Sequence, residues 1–246
     1  TKTLAELVLA KQPESRIILG EKVESYSHKG EESVMITSKN KYRTKHLIFC
    51  GGLQADRLAK KDNIKLKERV VGFRGDYYEL TDQAKHKVKH LIYPVPNPAF
   101  PFLGVHFTRG VDGSVECGPN AVFSLGKESY SKFDFNLIET LDSIFYPGFI
   151  KMASQHWKMG LGEMYRSFNK QAFTKALQKL VPSIESNDID ASPSGIRAQA
   201  IDSSGNLIDD FVIETEGSMV NVCNAPSPAA TSCFSIGNEI SSKINF

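Results

Sequence analysis

The sequence predicts an α/β (α+β) protein: a small α/β domain interrupted by an inserted antiparallel sheet with helices. Three observations predict this. The apolar run HLIFC ends at Gly51 and Gly52 and leads into the helical stretch LQADRLAKK, a strand–glycine–helix junction of the α/β kind. From about residue 60 the texture changes to strands, proline-rich extended chain and a block of helices. Near residue 190 strand patterning returns and leads to a last helix. The expected division is therefore 1–59, an insertion over 60–190, and a return over 191–246.

Taken in order, TLAELVLAKQ spaces Leu4, Leu7 and Val8 as a helix does. RIILGEKVESYS reads as a strand with a glycine kink, and SVMITSKNKYRTKHLIFC as two strands around Lys39, Asn40 and Lys41. VVGFRGDYYEL is strand-like. Pro94, Pro96, Pro98 and Pro101 keep the next stretch extended or turning. GVHFTR and SVECGP flank Asp112 and Gly113, a favoured hairpin dipeptide. With these two as the loop, Arg109 faces Glu116, a cross-strand ion pair, and His106 faces Pro119. His106 and Thr108 then share a face. Residues 133–145 and the two stretches GFIKMASQHWKMG and GEMYRSFNKQAFTKALQKLV are packing helices, which makes His156 structural. Residues 219–223 form a strand, and a final helix runs over 229–240.

Length and composition bound the function. A chain of 246 residues is comfortable for two domains, and a net charge of +2 gives no global attraction to nucleic acid or an anionic membrane. Cys50, Cys117, Cys223 and Cys233 have no C-x-x-C spacing, so neither zinc nor a disulfide framework is expected. Reduced thiols suit a cytoplasmic location. No apolar run has the length of a membrane span, and no signal peptide is expected. The chain opens on Thr1 inside a helical pattern, which reads as part of a longer protein.

Two stretches carry chemistry. In PSGIRAQAIDSSGNLIDDF, Arg197 sits on a short segment between small residues. A guanidinium matches a carboxylate with two parallel hydrogen bonds, so Arg197 either anchors an acid substrate or pairs with Asp209 or Asp210. In NAPSPAATSCFSIG, small residues run into a helix start with Ser227 as a cap. Free N–H groups there favour a negative ligand group, and the lack of bulk lets a flat ring approach; tight helix packing explains the same composition. His106 is either a satisfied strand histidine or a functional one.

HLIYPVPNPAFPFLGVHFTR, DGSVECGPNAVFSLGKESY, SGIRAQA, GNLIDDF and NAPSPAATS together resemble the L-2-hydroxyglutarate dehydrogenase/oxidase family. These are FAD-dependent enzymes of the D-amino-acid oxidase and glycine oxidase superfamily. The likeness is long and ordered, from about Val23 to the C-terminus. It implies an incomplete FAD-binding Rossmann-like domain with an inserted substrate-binding domain. It implies hydride transfer from L-2-hydroxyglutarate to the flavin, giving 2-oxoglutarate. Arg197 then matches the carboxylate-binding Arg. His106, on the hairpin covering the flavin's substrate side, is the catalytic candidate, and Arg74 is a candidate for the distal carboxylate or for structure. Val23 matches a position beside the adenine, and Gly51 and Gly52 a backbone contact to FAD. Asn224, Ala225, Pro226, Ser227, Ala229 and Ala230 match the turn and helix start beside the flavin.

The chain lacks the G-x-G-x-x-G that opens the family's fold and the family's early His-containing segment near the flavin, which is the other candidate place for the base besides His106. The expectation is a fragment that alone binds FAD poorly and is inactive. The expected partner is a small 2-hydroxy dicarboxylate, with no nucleic acid. Peripheral attachment to the inner face of a membrane and a quinone acceptor stay open, as does the oligomeric state. The alternative is a non-catalytic truncated paralogue that binds a dicarboxylate or a protein.

Overall fold

The computed structural model describes residues 1–29, 32–61, 64–95, 104–226 and 229–244. Helix α1 (Lys2–Lys11) buries none of its residues. Residues 16–22 are not a strand: Gly20 adopts φ +71°, and pairing begins only at Val23. Strands β1 (Val23–Lys29), β2 (Glu32–Thr37) and β3 (Lys41–Thr44) form an antiparallel sheet. The turn at Asn40 is tied by Thr37, whose Oγ1 accepts from Asn40 N at 2.9 Å.

The stretch expected to hold two strands holds three. After a break at Lys45, β4 (Leu47–Phe49) leaves that sheet for another. A 3-10 turn (Gly52–Gln54) and α2 (Ala55–Lys61) follow. β5 (Glu68–Leu80) is the long central strand of a six-stranded sheet. Its neighbours on one side are β7 (Val115–Gly118), which pairs with β6 (His106–Arg109), and the short β8 (Val122–Phe123).

The hairpin register is offset from expectation. Arg109 lies opposite Val115 and His106 opposite Gly118, so the loop is longer than the Asp-Gly pair. The Asp112 carboxylate causes this by accepting from Ser114 N (3.0 Å) and Ser114 Oγ (2.6 Å), which draws Ser114 into the turn. Arg109 consequently leaves Glu116 and donates to the carbonyls of Lys85 (3.3 Å) and Val88 (3.0 Å).

Three helices follow: α3 (Leu137–Ile144), α4 (Pro147–Phe168) and α5 (Lys170–Leu177). Asn136 and Asn169 cap α3 and α5 by accepting from Glu139 N and Ala172 N. The Asn136 cap is why α3 starts at Leu137 and not at Phe133. β9 (Ile189–Asp202) then pairs with β5 along almost its whole length. The expected boundary at residue 190 thus falls inside a continuous strand. β10 (Leu207–Ile208) lies on its outer edge.

β11 (Val212–Glu216) and β12 (Met219–Asn224) carry the chain to a three-stranded sheet in which β12 runs parallel to β4. Helix α6 (Cys233–Ser242) starts later than its expected residue 229, because Ala229 N bonds Pro226 O in a turn. Among the described residues, apolar burial forms three clusters. Tyr78, Phe107 and Cys117 pack with Phe173 and Leu177 of α5. Val71 and Ile201 pack with Tyr146 and Met152. Leu47, Phe49 and Met219 form the core of the parallel pair.

Candidate active site

Two regions hold the residues singled out in the sequence. The first is set by the parallel pair β4 and β12, whose carboxyl ends lie side by side. In open α/β sheets ligands bind outside such ends. β4 delivers Gly51 and Gly52. Gly52 has φ +51°, a conformation that disfavours a side chain, and a Cβ on Gly51 would stand 2.6 Å from Leu58 Cδ1. The chain therefore passes here as bare backbone.

A cleft of about 880 Å³ opens at this turn, with Val23 and Gly51 both in its wall. Glu21 also lines it. Its carboxylate accepts from Thr37 Oγ1 (2.6 Å), Asn40 Nδ2 (2.7 Å) and Tyr42 OH (3.0 Å). The Thr37 bond leads in holding this carboxyl below its usual pKa. Nothing in the sequence pattern marks Glu21.

At the end of β12, Asn224 is buried and donates through Nδ2 to the carbonyls of Ile208 (3.0 Å) and Asp210 (2.8 Å). Its amide thus fixes the GNLIDD segment against the strand end. Ala225 is exposed, Pro226 accepts from Ala229 N in the turn, and Ala230 is exposed. Ser227 lies outside the described residues.

The second region is a face of the six-stranded sheet. Phe107, Cys117 and Tyr78 point into the core beneath α5, so alternation places His106 and Tyr77 on the opposite face. Tyr77 is hydrogen-bonded to Arg197, and the charge of Arg197 also reaches His106. Arg197 comes from β9 opposite Phe73, and a register shift between Gly75 and Tyr77 brings the strands to this arrangement. His106, Tyr77 and Arg197 are all partly buried.

His106 is held from two sides. Its ring stacks on Tyr93, with centroids 4.3 Å apart and planes at 18°. Its Nδ1 lies 3.2 Å from Gly104 O. A carbonyl only accepts, so Nδ1 carries the proton, and in the neutral ring Nε2 is left with a lone pair. Burial lowers the His106 pKa, the Gly104 hydrogen bond opposes this, and the Arg197 charge lowers it further. Burial raises the Tyr77 pKa, so this residue stays a neutral phenol. The face thus offers a cation, a phenol and a neutral imidazole together. Tyr77 was missed in the sequence, although its signal was there: of two adjacent strand tyrosines, one must turn away from the core.

Arg74 is placed elsewhere. It is 5% exposed. Its Nε donates to Asp76 Oδ1 (3.0 Å), one terminal nitrogen to Ser131 O (2.9 Å) and the other to Ser167 Oγ (3.4 Å). Asp76 is itself surrounded by Asn120, Ser167 and Ser194. The guanidinium is consumed by the protein, and of its two expected roles only the structural one suits this position.

The chain matches the DAO family, described as FAD dependent oxidoreductase, over residues 1–242. It belongs to that family. Among the relatives of this chain is an L-2-hydroxyglutarate dehydrogenase of Indibacter alkaliphilus, 46% identical over 226 residues, which are 92% of this chain and 57% of the relative. Another is the L-2-hydroxyglutarate dehydrogenase of Escherichia coli K12, 42% identical over 88% of this chain and 51% of the relative. The chain thus spans about half the length of the curated relatives it matches. The FAD-bound, dithionite-reduced L-α-glycerophosphate oxidase of Mycoplasma pneumoniae superposes with a TM-score of 0.69 at 19% identity, over 97% of this chain and 54% of that one. This likeness confirms the fold expected of the FAD-dependent oxidoreductases.

Proposed function

We propose that the whole protein containing this chain oxidises L-2-hydroxyglutarate to 2-oxoglutarate, with FAD as the cofactor. The observation that carries the proposal is the meeting of Arg197, Tyr77 and His106 on one sheet face. It occurs in a chain more than two-fifths identical to proteins named for that reaction.

The residues present fit a dinucleotide at the other region. Val23 and the side-chain-free Gly51 share a cleft wall, and Gly52, Ala225, Pro226, Ala229 and Ala230 present little bulk at the strand ends. FAD, when bound there, would supply the acceptor for the hydride from C2 of the substrate. Arg197 and Tyr77 hold the carboxylate next to that carbon, the guanidinium by paired hydrogen bonds and the phenol by one. His106 takes the hydroxyl proton on Nε2, leaving the second electron pair to form the ketone C=O. Lowering its pKa keeps the ring neutral and ready at neutral pH.

The domain division belongs to the same proposal, with the FAD side formed by the sheet of β4, β12 and β11. No described helix is long and apolar enough to cross a membrane. A cytoplasmic location, peripheral attachment to the inner membrane face and a quinone acceptor are the arrangement to test. The decisive experiment compares Arg197→Ala and Arg197→Lys in the full-length enzyme. The account expects Arg197→Ala to lower kcat/KM by about 100-fold or more, equivalent to ~3 kcal/mol for a charge-assisted pair. The Lys variant should recover part of this. An unchanged kcat/KM rejects the role.

A further inference from the structure

Backbone pairing brings Tyr93 to His106. Ile92 and Phe107 form an antiparallel bridge, with Ile92 N donating to Phe107 O (3.0 Å) and Phe107 N to Ile92 O (2.9 Å). Ile92 packs against the core cluster that holds Phe107. Tyr93, one residue on, therefore stands across from His106 and on the face away from that core. Pro94 follows, and a residue before proline is confined to extended backbone, which keeps Tyr93 in strand geometry. Its hydroxyl lies 3.3 Å from Thr108 Oγ1, on the same face of β6 as His106. The phenol is thus anchored at its base by the bridge and at its tip by Thr108. Between the anchors its ring lies nearly parallel to the imidazole, with centroids 4.3 Å apart and planes at 18°. Tyr93 is 56% exposed, so burial in the core does not set its orientation.

We infer that Tyr93 is a positioning residue for the oxidation: its stack holds the His106 ring in the plane from which Nε2 takes the hydroxyl proton. The inference rests on the reading of His106 as the proton acceptor. Rotation of an imidazole about its Cβ–Cγ bond has only broad preferences. The bond from Nδ1 to Gly104 O fixes one direction of the ring and leaves its plane free to tilt. The parallel phenol removes that tilt and so gives the Nε2 lone pair a single line of approach. A misplacement of about 1 Å in such an alignment costs on the order of 100-fold in rate. Tyr93 takes no proton itself and acts only through His106.

The test uses the full-length flavoprotein and the rate of anaerobic flavin reduction by L-2-hydroxyglutarate. Tyr93→Leu removes the flat ring and should lower the limiting rate by about tenfold, with half-saturating substrate changed by no more than about twofold. Tyr93→Phe keeps the ring and should recover most of that rate. In a His106→Gln background Tyr93→Leu should cost about twofold or less, because the group it positions is gone. A second readout needs no turnover: ¹⁵N NMR of histidine-labelled protein, with the His106 signals identified by their loss in His106→Gln. Neutral His106 should carry its proton on Nδ1 in the wild type and become a mixture of tautomers in Tyr93→Leu. A wild-type rate and tautomer in Tyr93→Leu would overturn the inference alone, as would Tyr93→Phe being as slow as Tyr93→Leu, or an equal loss with and without His106. An unimpaired His106→Gln enzyme would remove the proton-acceptor reading and the inference with it.

Discussion

Arg74 and Arg197 have the same side chain on adjacent strands and opposite surroundings, and they should respond differently to removal. Arg74→Ala strands the Asp76 carboxylate in the interior, which should lower stability by about 3–5 kcal/mol, read by denaturant unfolding. Arg197→Ala should leave stability within about 1 kcal/mol and act on kcat/KM alone. Equal losses of stability in both would mean Arg197 is also structural. His106 gives a pH signature. Burial lowers its pKa, so the neutral, proton-accepting ring persists to more acidic pH. The acid limb of kcat/KM should fall below the ordinary histidine value, and His106→Gln should abolish that limb. An acid limb at or above that value speaks against His106 as the proton acceptor. Sequence marked both arginines and could not show which guanidinium is already spent, because Arg74 is consumed by Asp76 together with Ser131 and Ser167, which the fold brings from the loop after β8 and the end of α4.

Elements are joined by contacts that periodicity does not reveal. Lys127 and Asp56 form a buried ion pair between α2 and the loop after β8, with side chains 3% and 1% exposed. Burial dominates in lowering the Lys127 pKa. Lys127→Met should cost about 3–5 kcal/mol, and adding Asp56→Asn should restore much of it, since the uncompensated charge disappears. If the double variant is as unstable as the single one, the pair is not what joins these elements. At the start of α4, a Cβ on Gly148 would come 2.0 Å from Asp202 O, so Gly148→Ala should destabilise by about 1–3 kcal/mol in thermal melts. An unchanged melting temperature would refute that packing. Helix and strand types were legible because apolar spacing states them directly. The hairpin register was not, since one Asp112 carboxylate pulls Ser114 into the loop and moves Arg109 off Glu116. The break between β3 and β4 was hidden in one continuous strand-like run.

Across the whole molecule, the two regions lie on different sheets, and neither is sufficient for an oxidation. On the proposed reading, the ends of β4 and β12 take the cofactor against bare backbone, and Arg197, Tyr77 and His106 on the six-stranded sheet take the substrate. The family was legible in the sequence because many short segments match in order, although no single one is decisive. The company that Arg197 keeps was not, because Tyr77 reaches it only through the register shift between β5 and β9. The measurement that tests the central claim most directly is anaerobic addition of L-2-hydroxyglutarate to the full-length flavoprotein, followed by flavin absorbance and product analysis. The account predicts bleaching of the flavin with one 2-oxoglutarate formed per flavin, and no bleaching with the D enantiomer. A flavin that stays oxidised with L-2-hydroxyglutarate, yet is reduced by another 2-hydroxy acid or an amino acid, would contradict it.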